Sequence, residues 1–183
     1  MSDRITAFVR KSICVAIVLF VVRCIICPFD LVHDTIDVIG EIAGITVVLM
    51  SLYNTILWKY MPWEKVPRIM GDYTGFIEYD YDGVIGKKDT TVVIEQTLLT
   101  VKVKLVTDEI TSYTITGDVI EENSKYVLYY TYIKNPKSKY SKENPIQYGT
   151  CRFVINEKDK LIGTYWTSRK TIGDIELTKI NKK

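Results

Sequence analysis

The stretches SICVAIVLFVVRCIICPF (Ser12–Phe29) and IAGITVVLMSLYNTILW (Ile42–Trp58) decide the architecture of this chain. At about 1.5 Å per residue, each approaches the roughly 30 Å thickness of a bilayer's hydrocarbon core. The pattern predicts two transmembrane helices, at about 12–32 and 36–60, within a membrane anchor that covers residues 1–66.

The charges around this hairpin predict its orientation. Arg4, Arg10 and Lys11 precede the first span and Lys59 and Lys65 follow the second, whereas the connection carries acidic residues and no Lys or Arg. Because Lys and Arg favour the cytoplasmic side, we expect both termini, and everything after the hairpin, to lie in the cytoplasm.

Three charged residues fall inside the apolar spans, toward the end that holds the connection. Arg23 lies late in the first span, and Asp37 and Glu41 lie early in the second. A bare charge in the membrane costs roughly 3 kcal/mol or more, so these residues are expected to pair. They form either a structural pair that fixes the hairpin or a polar seam that lines a pore in an assembly.

After the hairpin the hydrophobic period changes to two, which indicates β-strands. Short turns separate consecutive strands, and Lys87-Lys88-Asp89 is interpreted as one of them. The pattern predicts an all-β domain over 67–183, an eight-stranded antiparallel meander that closes into a lipocalin- or avidin-like barrel. The predicted strands are Tyr73–Tyr81, Thr91–Thr97, Thr100–Thr107, Ile110–Glu121, Lys125–Lys134, Ile146–Asn156, Lys160–Ser168 and Ile172–Ile180.

Alternation within the strands assigns their faces. One set of alternate residues is expected to share the barrel interior, and thirteen tyrosines supply large amphipathic rings to pack it or to project into a pocket. The residues assigned to the inner set include Tyr73, Ile77, Tyr79, Tyr113, Ile115, Gly117, Val119, Leu161, Tyr165 and Thr167.

The composition argues against several functions. Twenty-four Lys and Arg against 22 Asp and Glu give a net charge of +2, too weak a basic field for duplex nucleic acid. The single histidine, His33, lies in the hairpin turn, and no catalytic triad, metal cluster or phosphate-binding glycine loop is present. Four cysteines form no disulfide framework. We therefore expect a binding protein that is not an enzyme and carries no cofactor or metal.

The strongest binding signal is Gly163–Thr171 (GTYWTSRKT), which interleaves aromatic rings, hydroxyls and cations. Such a mixture suits phosphate oxygens and nucleobases. Arg152, in the preceding strand, either shares a wall with this stretch or lies outside among acidic neighbours. The candidate ligand-binding residues are Arg152, Tyr165, Thr167 and Arg169, followed by Gln96, Tyr79 and Tyr130.

Four segments carry a likeness to a known family: RIMGDYTG (Arg68–Gly75), QTLL (Gln96–Leu99), NPIQYGT (Asn144–Thr150) and LIGTYWTSRKTIGDI (Leu161–Ile175). With the hairpin, they make the chain resemble the two-transmembrane β-barrel effectors of bacterial cyclic-oligonucleotide-based antiphage signalling systems. The resemblance covers nearly the whole chain.

The resemblance implies a mechanism. A cognate nucleotidyltransferase, activated by phage, makes a cyclic dinucleotide that the barrel binds. The effector then forms a homo-oligomer, its hairpins disrupt the bacterial inner membrane, and the infected cell dies before phage release. The alternatives from the sequence are a membrane-anchored lipocalin-like carrier or sensor of an apolar ligand and a scaffold that binds another protein.

Overall fold

The structure, a computed structural model, describes residues 2–26, 35–142, 144–157 and 159–180. The chain divides into two compact units, Met1–Glu64 and Lys65–Lys183. The first contains helices α1 (Ser2–Ile26) and α2 (Thr35–Thr55), followed by a short 3-10 helix (Leu57–Tyr60).

Both helices are long and apolar enough to cross a membrane, over Asp3–Ile26 and Thr35–Thr55. Most of their large hydrophobic side chains are exposed, as a lipid-facing surface requires. Helix α1 begins ten residues before the predicted span, and the predicted residues 27–32 lie outside the described part of the chain. The expected pairing of Arg23 is observed, with its Nε 3.1 Å from Glu41 Oε2.

The second unit is a closed barrel of eight antiparallel strands in chain order, with β1 paired to β8. This confirms the predicted meander. The strands are β1 (Gly71–Tyr81), β2 (Val84–Gln96), β3 (Val101–Val106), β4 (Ile110–Glu122), β5 (Lys125–Pro136), β6 (Gln147–Glu157), β7 (Lys160–Thr167) and β8 (Ile172–Lys179).

The turn predicted at Lys87-Lys88-Asp89 is wrong. Asp82 and Gly83, with φ of 53° and 80°, make the whole β1–β2 turn, and β2 begins at Val84. Positive φ at both central residues matches the twist of a tight hairpin, which Asp-Gly readily adopts. The two lysines therefore belong to the strand.

The predicted inner face of β4 is partly wrong. Tyr113 and Ile115 point outward, while Ser112 and Val119 are buried. A register shift between Thr114 and Thr116 adds a residue to this strand and reverses the alternation on one side of it.

Residues 65–70 close one end of the barrel. Ile69 is fully buried, its N–H donates to Gln96 Oε1 at 2.9 Å, and its carbonyl accepts from Tyr73 Oη at 2.7 Å. Gln96 Nε2 also donates to the carbonyl of Pro67 at 2.9 Å. This end is therefore sealed by apolar packing and satisfied hydrogen bonds, and we call it the plugged end.

Candidate ligand-binding site

A cavity of about 320 Å³ occupies the opposite end of the barrel, where the β1–β2, β3–β4, β5–β6 and β7–β8 turns lie. This volume falls within the range of small-molecule sites. Its described lining includes Tyr79, Tyr81, Lys88, Thr107, Glu109, Ser112, Tyr130, Tyr132, Lys134, Asn144, Gln147, Tyr165, Thr167, Arg169 and Thr171.

The charged residues of this lining are mostly cationic. Lys88, Lys134 and Arg169 contribute positive charge, and Glu109 is the acidic residue among the described lining side chains. Lys88 Nζ lies 2.5 Å from Glu109 Oε2, and Arg169 Nη2 donates to Tyr81 Oη at 2.5 Å. The lining therefore has an excess of positive charge, which favours an anionic ligand.

Lys134 responds to both its burial and these charges. The pKa of Lys134 is lowered to about 8, first by burial and then by the positive charges of Lys88 and Arg169, whereas Glu109 acts in the opposite direction. Cations confined in a poorly solvated space disfavour one another's charged forms. A negative group bound among them would relieve this repulsion.

Tyrosine rings form the deeper wall. Tyr130 and Tyr132 have ring centroids 5.7 Å apart, and Tyr130 stacks on Phe153 with centroids 6.2 Å apart. Burial raises the pKa of Tyr130, Tyr132 and Tyr165 above the ordinary tyrosine value, so all three are neutral in the physiological range. The wall offers flat aromatic faces with hydroxyl groups at their edges, which suits base stacking.

The structure brings together five of the seven residues predicted from the sequence. Tyr79, Tyr130, Tyr165, Thr167 and Arg169 all line the cavity. Alternation along β7 predicted that Tyr165 and Thr167 lie on the inner face, and Arg169 follows them in the next turn.

Arg152 is not part of this lining, and the expectation that it shares a wall with Tyr165 is wrong. In register, Cys151 pairs with Tyr165, which puts Arg152 on the outer face. Its Nη2 lies 2.5 Å from Glu122 Oε2 and its Nε donates to Tyr129 Oη at 2.8 Å. This placement matches the alternative expectation from the sequence, in which Arg152 lies outside the barrel among acidic neighbours.

Gln96 also lies away from the cavity. Both ends of its amide are used at the plugged end, on Ile69 and Pro67. Gln96 is the last residue of β2, and its hydrogen-bond partners come from the segment before β1. Its place in the sequence therefore gave no sign that it seals the plugged end.

Sequence reasoning missed Lys88, Lys134, Tyr132 and Gln147. The incorrect turn hid Lys88, and Lys134 is the last residue of its predicted strand, Lys125–Lys134, where it was not assigned to either face. Alternation had the information needed, since Tyr130, Tyr132 and Lys134 are spaced by two along β5. Leu128, two residues before Tyr130, is buried in the core. The missing step was to assign these alternate residues of β5 to the inner face together with Leu128.

Other predicted features are resolved only in part. Within the described residues no group of His, Cys, Asp and Glu is arranged to hold a metal ion. Cys14, Cys24 and Cys151 carry free thiols, and the latter is buried in the barrel core. His33 and Cys27 lie outside the described residues. Asp37 is exposed in the first turn of α2, and the pore seam stays a prediction.

A closed barrel with a cation- and tyrosine-lined cavity at one end is the architecture of a small-molecule-binding β-barrel. Residues 64–179 match the profile of the Cap15 cyclic dinucleotide receptor domain. Over 183 residues the chain is 38% identical to CD-NTase-associated protein 15 of Staphylococcus schleiferi, a match covering 98% of this chain and 100% of that protein. The chain therefore belongs to the Cap15 family, effectors of cyclic-oligonucleotide-based antiphage signalling with a cyclic dinucleotide receptor domain.

Proposed function

We propose that the barrel binds a cyclic dinucleotide in the cavity at its open end, with the two phosphates held by Lys88, Lys134 and Arg169. The observation that carries this proposal is the cluster of three cations around one tyrosine-lined cavity. Arg and Lys match phosphate oxygens in charge and in hydrogen-bonding capacity.

The rings of Tyr79, Tyr130, Tyr132 and Tyr165 supply faces on which the bases stack. The neutral hydroxyls of Tyr130, Tyr132 and Tyr165 add hydrogen bonds to ribose or base without bringing negative charge near the phosphates. The mixture of charge and aromatic surface favours this ligand over the apolar one of a lipocalin-like carrier, whose pocket would be lined mainly by aliphatic groups.

The chain acts as a sensor and not as an enzyme. Its receptor family and its cavity lined by cations and tyrosines support binding. The signal that follows is a change in assembly. No cofactor is required for that role.

Helices α1 and α2 span the bacterial inner membrane, with both termini and the barrel in the cytoplasm. The support is the length and apolarity of the helices and the Lys and Arg residues that flank them. The cytoplasm is also where a nucleotidyltransferase finds its nucleotide substrates.

Ligand binding drives the chain into a homo-oligomer whose hairpins disrupt the membrane and kill the infected cell. The Arg23–Glu41 pair, with Asp37 on the same end of the hairpin, supplies polar groups that an assembly of hairpins would gather into a seam. A polar seam admits water, and water-filled defects dissipate ion gradients.

The test uses the full chain in detergent and in dye-loaded vesicles of bacterial lipid. Calorimetry against a panel of cyclic dinucleotides and a fatty acid should detect saturable binding of a cyclic dinucleotide alone. The same ligand should increase the sedimentation coefficient and release the dye. Binding of the fatty acid in place of every cyclic dinucleotide would refute the receptor proposal, and binding without dye release would refute the membrane step.

Lys134→Met and Arg169→Met should each weaken binding of the phosphates. Lys102→Met is the matched control, because Lys102 is exposed on the outer face of β3. Loss of affinity in the control as large as in the cavity variants would point to a general electrostatic effect.

A further inference from the structure

Two residues that line the cavity each carry a buried side-chain oxygen without a hydrogen-bond partner in the described part of the chain. Gln147 Oε1 and Thr167 Oγ1 make no hydrogen bond within the described part of the chain. Gln147 is 3% exposed and Thr167 is 8% exposed, and both line the cavity. Buried polar groups in folded proteins are nearly always paired, so these two atoms indicate a ligand that completes them.

The fold holds both oxygens beside one ring. Across the sheet, Gly149 lies between Tyr132 of β5 and Thr167 of β7, and Gln147 lies two residues before it on the same face. The Tyr132 ring fills the space that a Cβ on Gly149 would occupy. A flat group stacked on Tyr132 would therefore turn its edge toward Thr167 and Gln147.

The hydrogen bonds nearby define what this pair offers. Gln147 Nε2 donates to Asn144 Oδ1 at 3.0 Å, which leaves the amide oxygen as an open acceptor. The Thr167 hydroxyl both donates and accepts. A phosphodiester has only acceptor oxygens and cannot satisfy the amide oxygen. The hydrogen-bonding edge of a nucleobase, with an N–H donor next to an acceptor, can satisfy both atoms together.

We propose that Gln147 and Thr167 read the edge of one base of the bound cyclic dinucleotide and thereby select that base. This inference rests on the proposed function, and it adds the residues that make the receptor specific. A base of the wrong pattern leaves the buried amide oxygen unpaired, so discrimination is expected to be strong. Contacts to phosphate carry no information about the bases.

The test measures affinities of the full chain in detergent for c-di-AMP, c-di-GMP, c-di-UMP and cyclic GMP-AMP by calorimetry. In Gln147→Leu and in Thr167→Val, affinity for the preferred ligand should fall about tenfold or more, while the other ligands change little, so that the preference collapses. Thr167→Ser, which keeps the hydroxyl, should keep the preference. Thr150→Val, on the outer face of β6, is the control and should leave every affinity unchanged.

Two results would overturn the inference. One is an order and spread of affinities that stays unchanged in both variants, and the other is an equal loss of affinity for all four ligands, as a contact to ribose or a structural role would produce. Thermal unfolding is measured alongside, and if Gln147→Leu is destabilised, the Thr167→Val and Thr167→Ser pair decides. If the wild-type chain binds none of the four, the proposed function itself fails, which is a different result from binding without selection.

Discussion

Tyr132 lies directly opposite Gly149, and its ring takes the place of the side chain that Gly149 lacks. An added Cβ would lie 2.4 Å from the Tyr132 Oη and 2.9 Å from the carbonyl oxygen of Trp166. The same arrangement recurs at Tyr79 and Gly86. These pairs hold the rings flat along the cavity wall.

Gly149→Ala should therefore displace the Tyr132 ring into the cavity and weaken ligand binding. Loss of one stacked base corresponds to about 1–3 kcal/mol, so affinity should fall about 5- to 150-fold. Tyr132→Phe keeps the ring and should bind far better than Tyr132→Leu. Calorimetry with the best cyclic dinucleotide measures all three, and equal binding by the Phe and Leu variants would contradict a stacking role.

Ligand affinity should fall as the pH rises through about 8, where Lys134 titrates. Bound phosphate favours the charged form, so binding takes up a proton when the free lysine is neutral. Calorimetry in buffers of different ionisation enthalpy measures that uptake at pH 9. Lys134→Arg stays charged and should remove both the uptake and most of the pH dependence. A wild-type profile identical to that of Lys134→Arg would rule out this assignment.

The stability of the ligand-free chain should show the opposite trend. The pKa of Lys134 is lowered from 10.5 to about 8 on folding, so between these values the unfolded chain binds more protons than the folded one. The contribution of Lys134 to stability therefore rises with pH across this window. Thermal unfolding of the wild type and of Lys134→Met between pH 7.5 and 10 measures the difference between their free energies of unfolding. This difference should shrink as the pH increases.

Substitution of Arg169 and of Arg152, which lie near strands β6 and β7, should change the ligand affinity to different extents. Arg169→Met should weaken cyclic dinucleotide binding about 10- to 150-fold, since a hydrogen bond to a charged group contributes roughly 1.5–3 kcal/mol. Arg152→Met removes a partly exposed pair with Glu122 on the outer face, and affinity should stay within twofold. Titration of both variants with the same ligand decides between the cavity and the outer wall.

Reversal of Arg23 or Glu41 alone should prevent the hairpin from supporting dye release, because it leaves two like charges in the membrane. The double variant Arg23→Glu with Glu41→Arg restores the pair and should restore much of the leakage. Vesicle assays with equal amounts of inserted protein measure this. If both single variants release dye as the wild type does, the Arg23–Glu41 pair is dispensable for membrane disruption.

Periodicity was sufficient to predict the closed meander and the inner face of β7, because both depend on a strict alternation of residues. It failed at β4, where an extra residue between Thr114 and Thr116 reverses the faces of Tyr113 and Ile115. A bulge of this kind leaves little trace in composition. The turn prediction at Lys88 failed because charged residues occur both in turns and on strands beside a cavity, so composition does not separate the two cases.

Arg152 shows a different limit. Its strand was assigned correctly, yet its face depends on which residue of β7 lies opposite it, and register is a property of two strands. Sequence therefore identified the wall that carries the aromatic–cation motif, together with Tyr79 and Tyr130 on other walls, but missed the lysines that complete the lining, Lys88 and Lys134.

The seal formed by Ile69 and Gln96 has a consequence for signalling. It lies at the end of the barrel opposite the cavity, so a ligand bound as proposed does not touch it directly. Strand β1 connects the two ends: it runs without a break from Tyr81, which accepts a hydrogen bond from Arg169, to Gly71, two residues after Ile69. If the barrel is the sensor that we propose, we expect ligand binding at Arg169 to be transmitted through a displacement of this strand.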